Sequence, residues 1–253
     1  SHLVAVLISE LTNLHYPEVL AELTRRLSTR DMRVLLFALS SEGEVDAVLD
    51  QVWRYRVDGV IAAARLSAGQ LAAVQAAGVP LVLFNREAPD GLGDSVCCAF
   101  AQGEARLVDA LVAAGHRRFG LIAGPADSSV GEARMAGAID RLAQAGLAPL
   151  GLERGDFGHA SGRACARTLV AAHGVDAIIA ANDGMALGAL DALRSDLGLK
   201  VPEQVSVVGF DGVGPAAWPA YALTTMRQPI GAMAEAAVDL LMALSLIHIS
   251  EPT

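Results

Sequence analysis

The heptapeptide VDGVIAA at residues 57–63 is the most informative stretch of this chain, because a close copy, VDAIIAA, stands at residues 175–181. Both are short apolar runs rich in β-branched residues, as is typical of buried strands in a parallel sheet. A second pair follows in the same order, since GVPLVLF at 78–84 resembles EQVSVVGF at 203–210 in position and type. Parallel strands often look alike, but the shared order and similar spacing favour two related lobes.

Strand-like and helix-like runs alternate outward from these repeats. In the first half we predict strands at 3–8, 33–39, 58–62 and 79–84, with helices over 16–28, 44–55 and 68–76 between them. The pattern starts again with a strand at 118–123. This alternation predicts the α/β class, with a doubly wound parallel sheet and helices on both of its faces in each lobe.

The composition of the chain argues against some classes of function. The chain has 253 residues, of which 53% are hydrophobic, and a formal net charge of −9. A face that grips DNA normally shows a basic excess, so we do not expect these residues to bind nucleic acid by themselves. No uncharged apolar run reaches the roughly 20 residues that span a bilayer, and the first residues do not resemble a secretion signal. We therefore expect no membrane partner and a cytoplasmic location.

Enzyme motifs are missing from the sequence. It contains no Walker A segment, no HExxH pair and no nucleophile elbow. We therefore expect no catalytic activity, no cofactor and no metal.

Polar side chains follow several of the predicted strands. Asn85 comes directly after the strand at 79–84, Asn182 follows the strand at 175–181, and Asp211 follows the strand that ends at residue 210. Ligands of open α/β sheets bind beyond the carboxyl ends of the strands. With two lobes facing each other, these ends would line a shared cleft, which is a favoured place for a small molecule.

Seven segments, in order, resemble the LacI/GalR family of transcription repressors over about Leu3 to Leu241. They are NLHYPE at 13–18, VPLVLFNR at 79–86, GHRR at 115–118, RMAG at 134–137, ANDGMALG at 181–188, VGFD at 208–211 and LTTMRQP at 223–229. The resemblance implies the effector-binding core of such a regulator. It also implies a fold like that of type I periplasmic binding proteins, with two lobes joined by a hinge.

The resemblance implies a domain division as well. The N-terminal lobe would comprise 1–97 plus about 229–244, and the C-terminal lobe 98–228. Family members form homodimers and carry a helix-turn-helix headpiece before the first strand. We expect this headpiece to be missing here, so that operator DNA would be bound only through it. Residues 245–253 depart from the family pattern, and we expect them to be a non-native tail.

Three residues of the second lobe are the first candidates for effector binding. Arg134, whose family counterpart contacts effector, offers five donors in a fixed fork; its alternative is a surface salt bridge. Asp211 only accepts hydrogen bonds, which suits a donor-rich ligand such as a sugar; its alternative is a helix cap or turn. Asn182 both donates and accepts. Its alternative is helix capping, but Asp183 fits that cap better.

Three further candidates complete the second lobe. Phe157 stands where the family often places an aromatic ring against the effector, and its alternative is the core. Ser128 either lines the wall of the site or caps the helix that carries Arg134. Gln228 either reaches the ligand or stabilises the hinge.

The first lobe supplies His15, Tyr16 and Asn85. His15 and Tyr16 occupy the loop into the first helix, where His15 is alternatively a solvated turn residue. Asn85 matches a common effector position, and its alternative is turn chemistry.

These residues together predict a ligand-controlled switch. Arg, Asp, Asn and one aromatic ring fit a sugar or sugar derivative best, and a purine or nucleoside second. Effector binding would favour one relative orientation of the lobes. Two other functions stay open, namely a periplasmic-type sugar-binding protein that serves a transporter and, with less support, an enzyme of the doubly wound class.

Overall fold

The chain forms two compact units. A computed structural model describes residues 2–9, 11, 13–40, 42–88 and 92–250. Unit 1 comprises Ser1–Thr12, Tyr16–Cys98 and Pro229–Thr253, and unit 2 comprises Asn13–His15 and Ala99–Gln228.

Strands and helices alternate along the whole chain. Their order is β1 (Leu3–Ser9), α1 (His15–Ser28), β2 (Arg33–Leu39), α2 (Val45–Arg54), β3 (Gly59–Ala63), α3 (Ala68–Ala76), β4 (Leu81–Phe84), β5 (Asp94–Val96), α4 (Phe100–Ala113), β6 (Phe119–Ala123), α5 (Ser129–Gln144), β7 (Gly151–Arg154), α6 (His159–His173), β8 (Ala177–Ala180), α7 (Asp183–Asp191), β9 (Ser206–Asp211), β10 (Thr224–Arg227) and α8 (Ile230–Ser250).

Unit 1 is built on a parallel sheet with the strand order β2-β1-β3-β4-β5. Successive side chains of β1 enter opposite layers. Val4, Val6 and Ile8 pack with residues of α1 and α8, whereas Ala5 and Leu7 pack with residues of α2 and α3. Both faces of β1 are therefore covered, which explains why its sequence is apolar throughout rather than alternating.

Unit 2 repeats this topology with the strand order β7-β6-β8-β9-β10, again all parallel. The strand β8 within 175–181 takes the same central place as the strand β3 within 57–63. Likewise β9 corresponds to β4. The predicted fold class, two doubly wound parallel sheets, is confirmed.

The sequence patterns did not predict every element. The strands β5 and β7 are edge strands with exposed positions, and neither has the apolar run that marked the other strands. The last helix, α8, continues to Ser250, so that residues 245–250 of the expected non-native tail are helical. Residues 251–253 of that tail lie outside the described residues. No helix in the described part of the chain is long and apolar enough to cross a membrane.

Candidate functional site

Each strand of the unit 2 sheet delivers one predicted site residue at its carboxyl end. Ser128 follows β6, Phe157 follows β7, Asn182 follows β8, Asp211 closes β9, and Gln228 follows β10. Because the strands are parallel, their carboxyl ends meet at one edge of the sheet, where α/β proteins bind ligands. Five predicted site residues are therefore brought to the same edge of the sheet.

Arg134 and Asp211 form an ion pair at this edge. Arg134 Nη2 donates to Asp211 Oδ1 at 2.9 Å, and Nη1 donates to the carbonyl oxygen of Ala181 at 2.8 Å. The same Asp211 oxygen accepts from Gln228 Nε2 at 2.8 Å. The side chains of the ion pair are only 3% and 1% exposed, so the alternative of a surface salt bridge is wrong. We call Arg134, Asp211 and Gln228 the unit 2 cluster.

Two aromatic rings hold the guanidinium of Arg134 in place. Its central carbon lies 4.9 Å from the ring centre of Phe100 on α4 and 4.3 Å from that of Phe210 on β9. Both distances are within the range of a cation–π interaction. The rings meet edge to face, with their centres 5.9 Å apart. The two rings therefore favour the orientation in which the guanidinium contacts Asp211.

Two polar atoms of the unit 2 cluster, one hydrogen-bond donor and one acceptor, make no hydrogen bond to any described residue. Arg134 Nε and Asp211 Oδ2 are buried and have no hydrogen-bond partner among the residues that the structure describes. Buried polar groups are nearly always paired, so each exception calls for an explanation. A hydroxyl group both donates and accepts, and a ligand hydroxyl can therefore satisfy such groups.

Three of the seven non-glycine residues with positive φ in the described part of the chain are predicted site residues. Asp211 has a φ of 122° and Phe157 a φ of 67°, and in unit 1 Asn85 has a φ of 53°. Residues other than glycine rarely adopt such angles, and those that do are concentrated at functional sites. The strain favours a binding role for this edge of each sheet.

Asn182, not Asp183, caps α7. The backbone of Asn182 is extended, and its Oδ1 accepts from the backbone N–H of Met185 at 3.0 Å. Its Nδ2 donates to the carbonyl oxygen of Phe157 at 2.9 Å. The capping assignment made from the sequence was wrong because a cap must be the last extended residue, and Asp183 is already helical. A ligand contact by Asn182 stays a prediction.

Asp183 instead accepts hydrogen bonds from the segment that follows β9 and from β10. Its carboxyl accepts from the backbone N–H of Val213 at 2.9 Å and from Thr225 Oγ1 at 2.5 Å. Burial raises the pKa of Asp183 to about 7, and the negative charge of Asp211 adds to the rise, while the hydrogen bond from Thr225 opposes it.

Ser128 and Phe157 have structural contacts that match their alternative interpretations. Ser128 caps α5, since its Oγ accepts from the backbone N–H of Gly131 at 3.2 Å. The ring of Phe157 is buried against Gly124, where an added Cβ would lie 2.4 Å from the ring. Whether either side chain also contacts a ligand stays a prediction.

His15 is buried, so the solvated-turn alternative is wrong. The segment Asn13–His15 groups with unit 2. Asn13 Oδ1 accepts from the backbone N–H of His15 at 3.3 Å and from Asn182 Nδ2 at 3.4 Å. This loop therefore reaches the residue that follows β8.

Unit 1 has a polar cluster of its own at the carboxyl ends of β1 and β4. Arg86, which is buried, donates to Tyr16 Oη at 3.2 Å and to Ser9 Oγ at 3.2 Å. It also donates to the carbonyl oxygen of the preceding residue, Asn85, at 3.1 Å. Arg86, which directly follows Asn85 after β4 and was not among the candidate effector contacts, thus connects two residues that were, Tyr16 and Asn85.

The sequence prediction missed Glu104, which lies in the second turn of α4. This residue is fully buried, and neither carboxyl oxygen has a hydrogen-bond partner within the described part of the chain. Burial raises the pKa of Glu104 to about 8; the charge of Arg134 opposes the rise and that of Asp211 adds to it. Helical spacing gave a signal, since Leu107, Val108 and Leu111 place Glu104 on the apolar face of α4. No three His, Cys, Asp or Glu side chains among the described residues are arranged to hold a metal.

Comparison with known proteins agrees with this geometry. Residues 108–251 match the family model described as a periplasmic binding protein-like domain. The chain is 35% identical over 157 residues to the HTH-type transcriptional regulator AscG of Escherichia coli strain K12, a match that covers 61% of this chain and 46% of AscG. It is 33% identical over 168 residues to the HTH-type transcriptional repressor PurR of Klebsiella pneumoniae strain 342, covering 65% of this chain and 49% of PurR.

A solved structure extends the likeness over nearly the whole chain. The lac repressor dimer bound to operator and the anti-inducer ONPF superposes with a TM-score of 0.87 at 28% identity. That match covers 99% of this chain and 88% of the repressor chain. The chain spans about half the length of the curated relatives it matches.

Proposed function

The chain belongs to the periplasmic binding protein-like domain family, as the ligand-binding core of a LacI-type transcriptional regulator, and from this premise we propose that it binds a small polyhydroxylated effector through Arg134 and Asp211. We propose a sugar or sugar derivative as the effector. Occupancy would favour one of two arrangements of the units, in proportion to the difference in effector affinity between them.

The unused donor and acceptor of the buried ion pair carry this proposal. Arg134 Nε and Asp211 Oδ2 lack partners among the described residues, although the groups beside them are hydrogen-bonded. An effector hydroxyl that donates to Asp211 Oδ2 would replace the missing bond. Sites built to hydrogen-bond a hydroxyl discriminate strongly against analogues that lack it, because the site is then left unpaired.

We assign the remaining predicted residues further contacts with the effector. Asn182 and Gln228 would contact the effector near the ion pair, and Phe157 and Ser128 would line the same sheet edge. In unit 1, Tyr16 and Asn85 would contact the effector at the carboxyl ends of its strands, and His15 would do so from the segment Asn13–His15, which groups with unit 2. A purine or nucleoside is the second effector class.

We propose two macromolecular partners from the relatives. The matched lac repressor is a dimer bound to operator, and we propose a homodimer for this chain too. Its formal net charge of −9 favours no DNA-gripping face. Operator contact is therefore assigned to a headpiece outside these 253 residues. The relatives are transcriptional regulators, which favours regulation in the cytoplasm over transport binding or catalysis.

A thermal-shift screen tests the proposed effector class. The purified chain is heated with neutral sugars, sugar acids and nucleosides, each at millimolar concentration. A ligand at a hundred times its Kd stabilises the folded state by about 2.7 kcal/mol. We expect a sugar to raise Tm in the wild type but not in Asp211→Asn, which keeps the shape of the side chain and loses its charge.

Asp140→Asn is the matched control, because Asp140 is an exposed carboxylate on α5. The proposal fails if the wild type unfolds cooperatively yet no compound of the three classes raises its Tm. It fails equally if the shift persists unchanged in Asp211→Asn.

A further inference from the structure

Glu104 lies at a close approach between α4 and α5. An added Cβ on Gly137 of α5 would be 2.8 Å from the Cα of Ala101 and 3.5 Å from the Cβ of Glu104. Gly103, the residue before Glu104, faces the sheet. An added Cβ on Gly103 would be 2.7 Å from the ring of Phe210 on β9. Glu104 is therefore enclosed between α5 and the sheet, without contact with solvent.

The same two helices bring Glu104 to the guanidinium of Arg134. Phe100, whose ring faces that guanidinium, stands one helical turn before Glu104 on α4. Gly137, which faces Glu104, stands one turn after Arg134 on α5. Residues three or four positions apart share one face of a helix. Glu104 and Arg134 therefore occupy adjacent positions in one buried layer.

Both side chains have unused hydrogen-bonding capacity there. Neither oxygen of Glu104 has a partner among the described residues, and Arg134 Nε has none either. A carboxylate and a guanidinium N–H form a strong charge-assisted hydrogen bond. A protonated carboxyl is a much weaker acceptor for it, and burial raises the pKa of Glu104 to about 8, so that it carries its proton at neutral pH.

We propose that Glu104 is a protonation-controlled positioning residue that competes with Asp211 for Arg134. With Glu104 protonated, Arg134 stays on Asp211, which is the arrangement that the proposed effector site requires. When Glu104 loses its proton, Arg134 Nε donates to it and the guanidinium is drawn away from Asp211. This inference rests on the proposed function for its consequence, which is that effector binding weakens in alkaline solution.

Few other charges act on Glu104. From α5 it faces Arg134, and from β9 it faces Asp211, the two groups whose charges affect its ionisation. The remaining charged side chains of α4, α5 and β10 are at least partly exposed: Arg106, Asp109, Glu132, Asp140, Arg141 and Arg227. Solvent screens those groups far more than it screens the buried pair.

NMR titration of the 253-residue chain tests the competition without any effector. The carboxyl carbon signal of Glu104 is assigned by its loss in Glu104→Gln, and the Nε–H signal of Arg134 by its loss in Arg134→Lys. We expect the Glu104 signal to titrate with a midpoint near pH 8. The Arg134 Nε–H signal should shift with the same midpoint in the wild type. In Glu104→Gln that shift should be absent, and only a change from the titration of Asp183 near pH 7 should remain.

Glu235→Gln is the matched control, because Glu235 is exposed on α8 and should leave both titrations unchanged. A midpoint near pH 4.3, as for an ordinary glutamate, would overturn the proposal. So would an Arg134 signal that does not move while Glu104 titrates. Because no effector is present, a failed ligand screen and a failed titration are separate results.

Discussion

Arg134 Nη2 lies 2.9 Å from Asp211 Oδ1 in the interior of unit 2, and this carboxylate oxygen is shared with Gln228. Arg134 comes from the second turn of α5, and Asp211 from the end of β9. The pair therefore joins a helix to the sheet at the edge where the proposed effector binds. Removing either partner leaves the other charge buried.

Replacement of Arg134 by methionine should lower the free energy of unfolding by about 3–5 kcal/mol, because a buried charge without its partner is strongly destabilising. Urea denaturation at pH 7 measures the change. Arg141→Met is the control, since Arg141 on the same helix pairs with the exposed Asp109. Its effect on stability should be much smaller. Equal losses in the two variants would mean that the buried pair does not stabilise unit 2.

The buried carboxyl of Glu104 should make stability fall as pH rises. Its pKa is about 8 in the folded chain and about 4.3 in an unfolded one. Between these values the folded state holds a proton that the unfolded state has lost. The contribution of Glu104 to the free energy of unfolding is therefore complete below pH 4.3. It is lost as pH rises from there through 8, by up to about 1.4 kcal/mol per pH unit.

Urea unfolding of the wild type and Glu104→Gln at pH 5.5 and 8.5 measures this linkage. The wild type should lose more stability than the variant over that range. The pKa of Asp183 is also raised, so its ionisation lowers the stability of both proteins in the same direction. This contribution cancels when the losses of the two proteins are compared. Parallel losses in the two proteins would show that Glu104 ionises normally.

Ser128→Ala should cost about 1 kcal/mol of stability, because Ser128 supplies the N-cap of α5. The exposed neighbour Ser129 is the control, and its replacement by alanine should have little effect. Calorimetric titration with a sugar found in the thermal-shift screen then separates capping from ligand contact. An unchanged Kd in Ser128→Ala supports a purely structural role, whereas a tenfold weaker Kd assigns the hydroxyl to the ligand.

The fold was predictable because both faces of the central strands are buried. That burial makes β3 and β8 short apolar runs, and the similarity of their sequences indicates the repeat. The edge strands β5 and β7 escaped prediction because their side chains are partly exposed and show no continuous apolar pattern.

The site was predictable only in part. Strand ends and the family resemblance identified Arg134 and Asp211, but not that they pair with each other, since contacts over 77 positions leave no local signal. The cap of α7 was misplaced because Asn182 and Asp183 are both good capping residues, and only the backbone angles distinguish them. Glu104 was overlooked because an acidic residue in a helix usually faces solvent.

The most direct test of the proposed site is a crystal structure of the chain with the sugar that raises Tm most. We predict a ligand hydroxyl within hydrogen-bond distance of Asp211 Oδ2, with Arg134 as its neighbour. A sugar bound without any contact to Asp211 or Arg134 would contradict the assignment of these residues as the effector site.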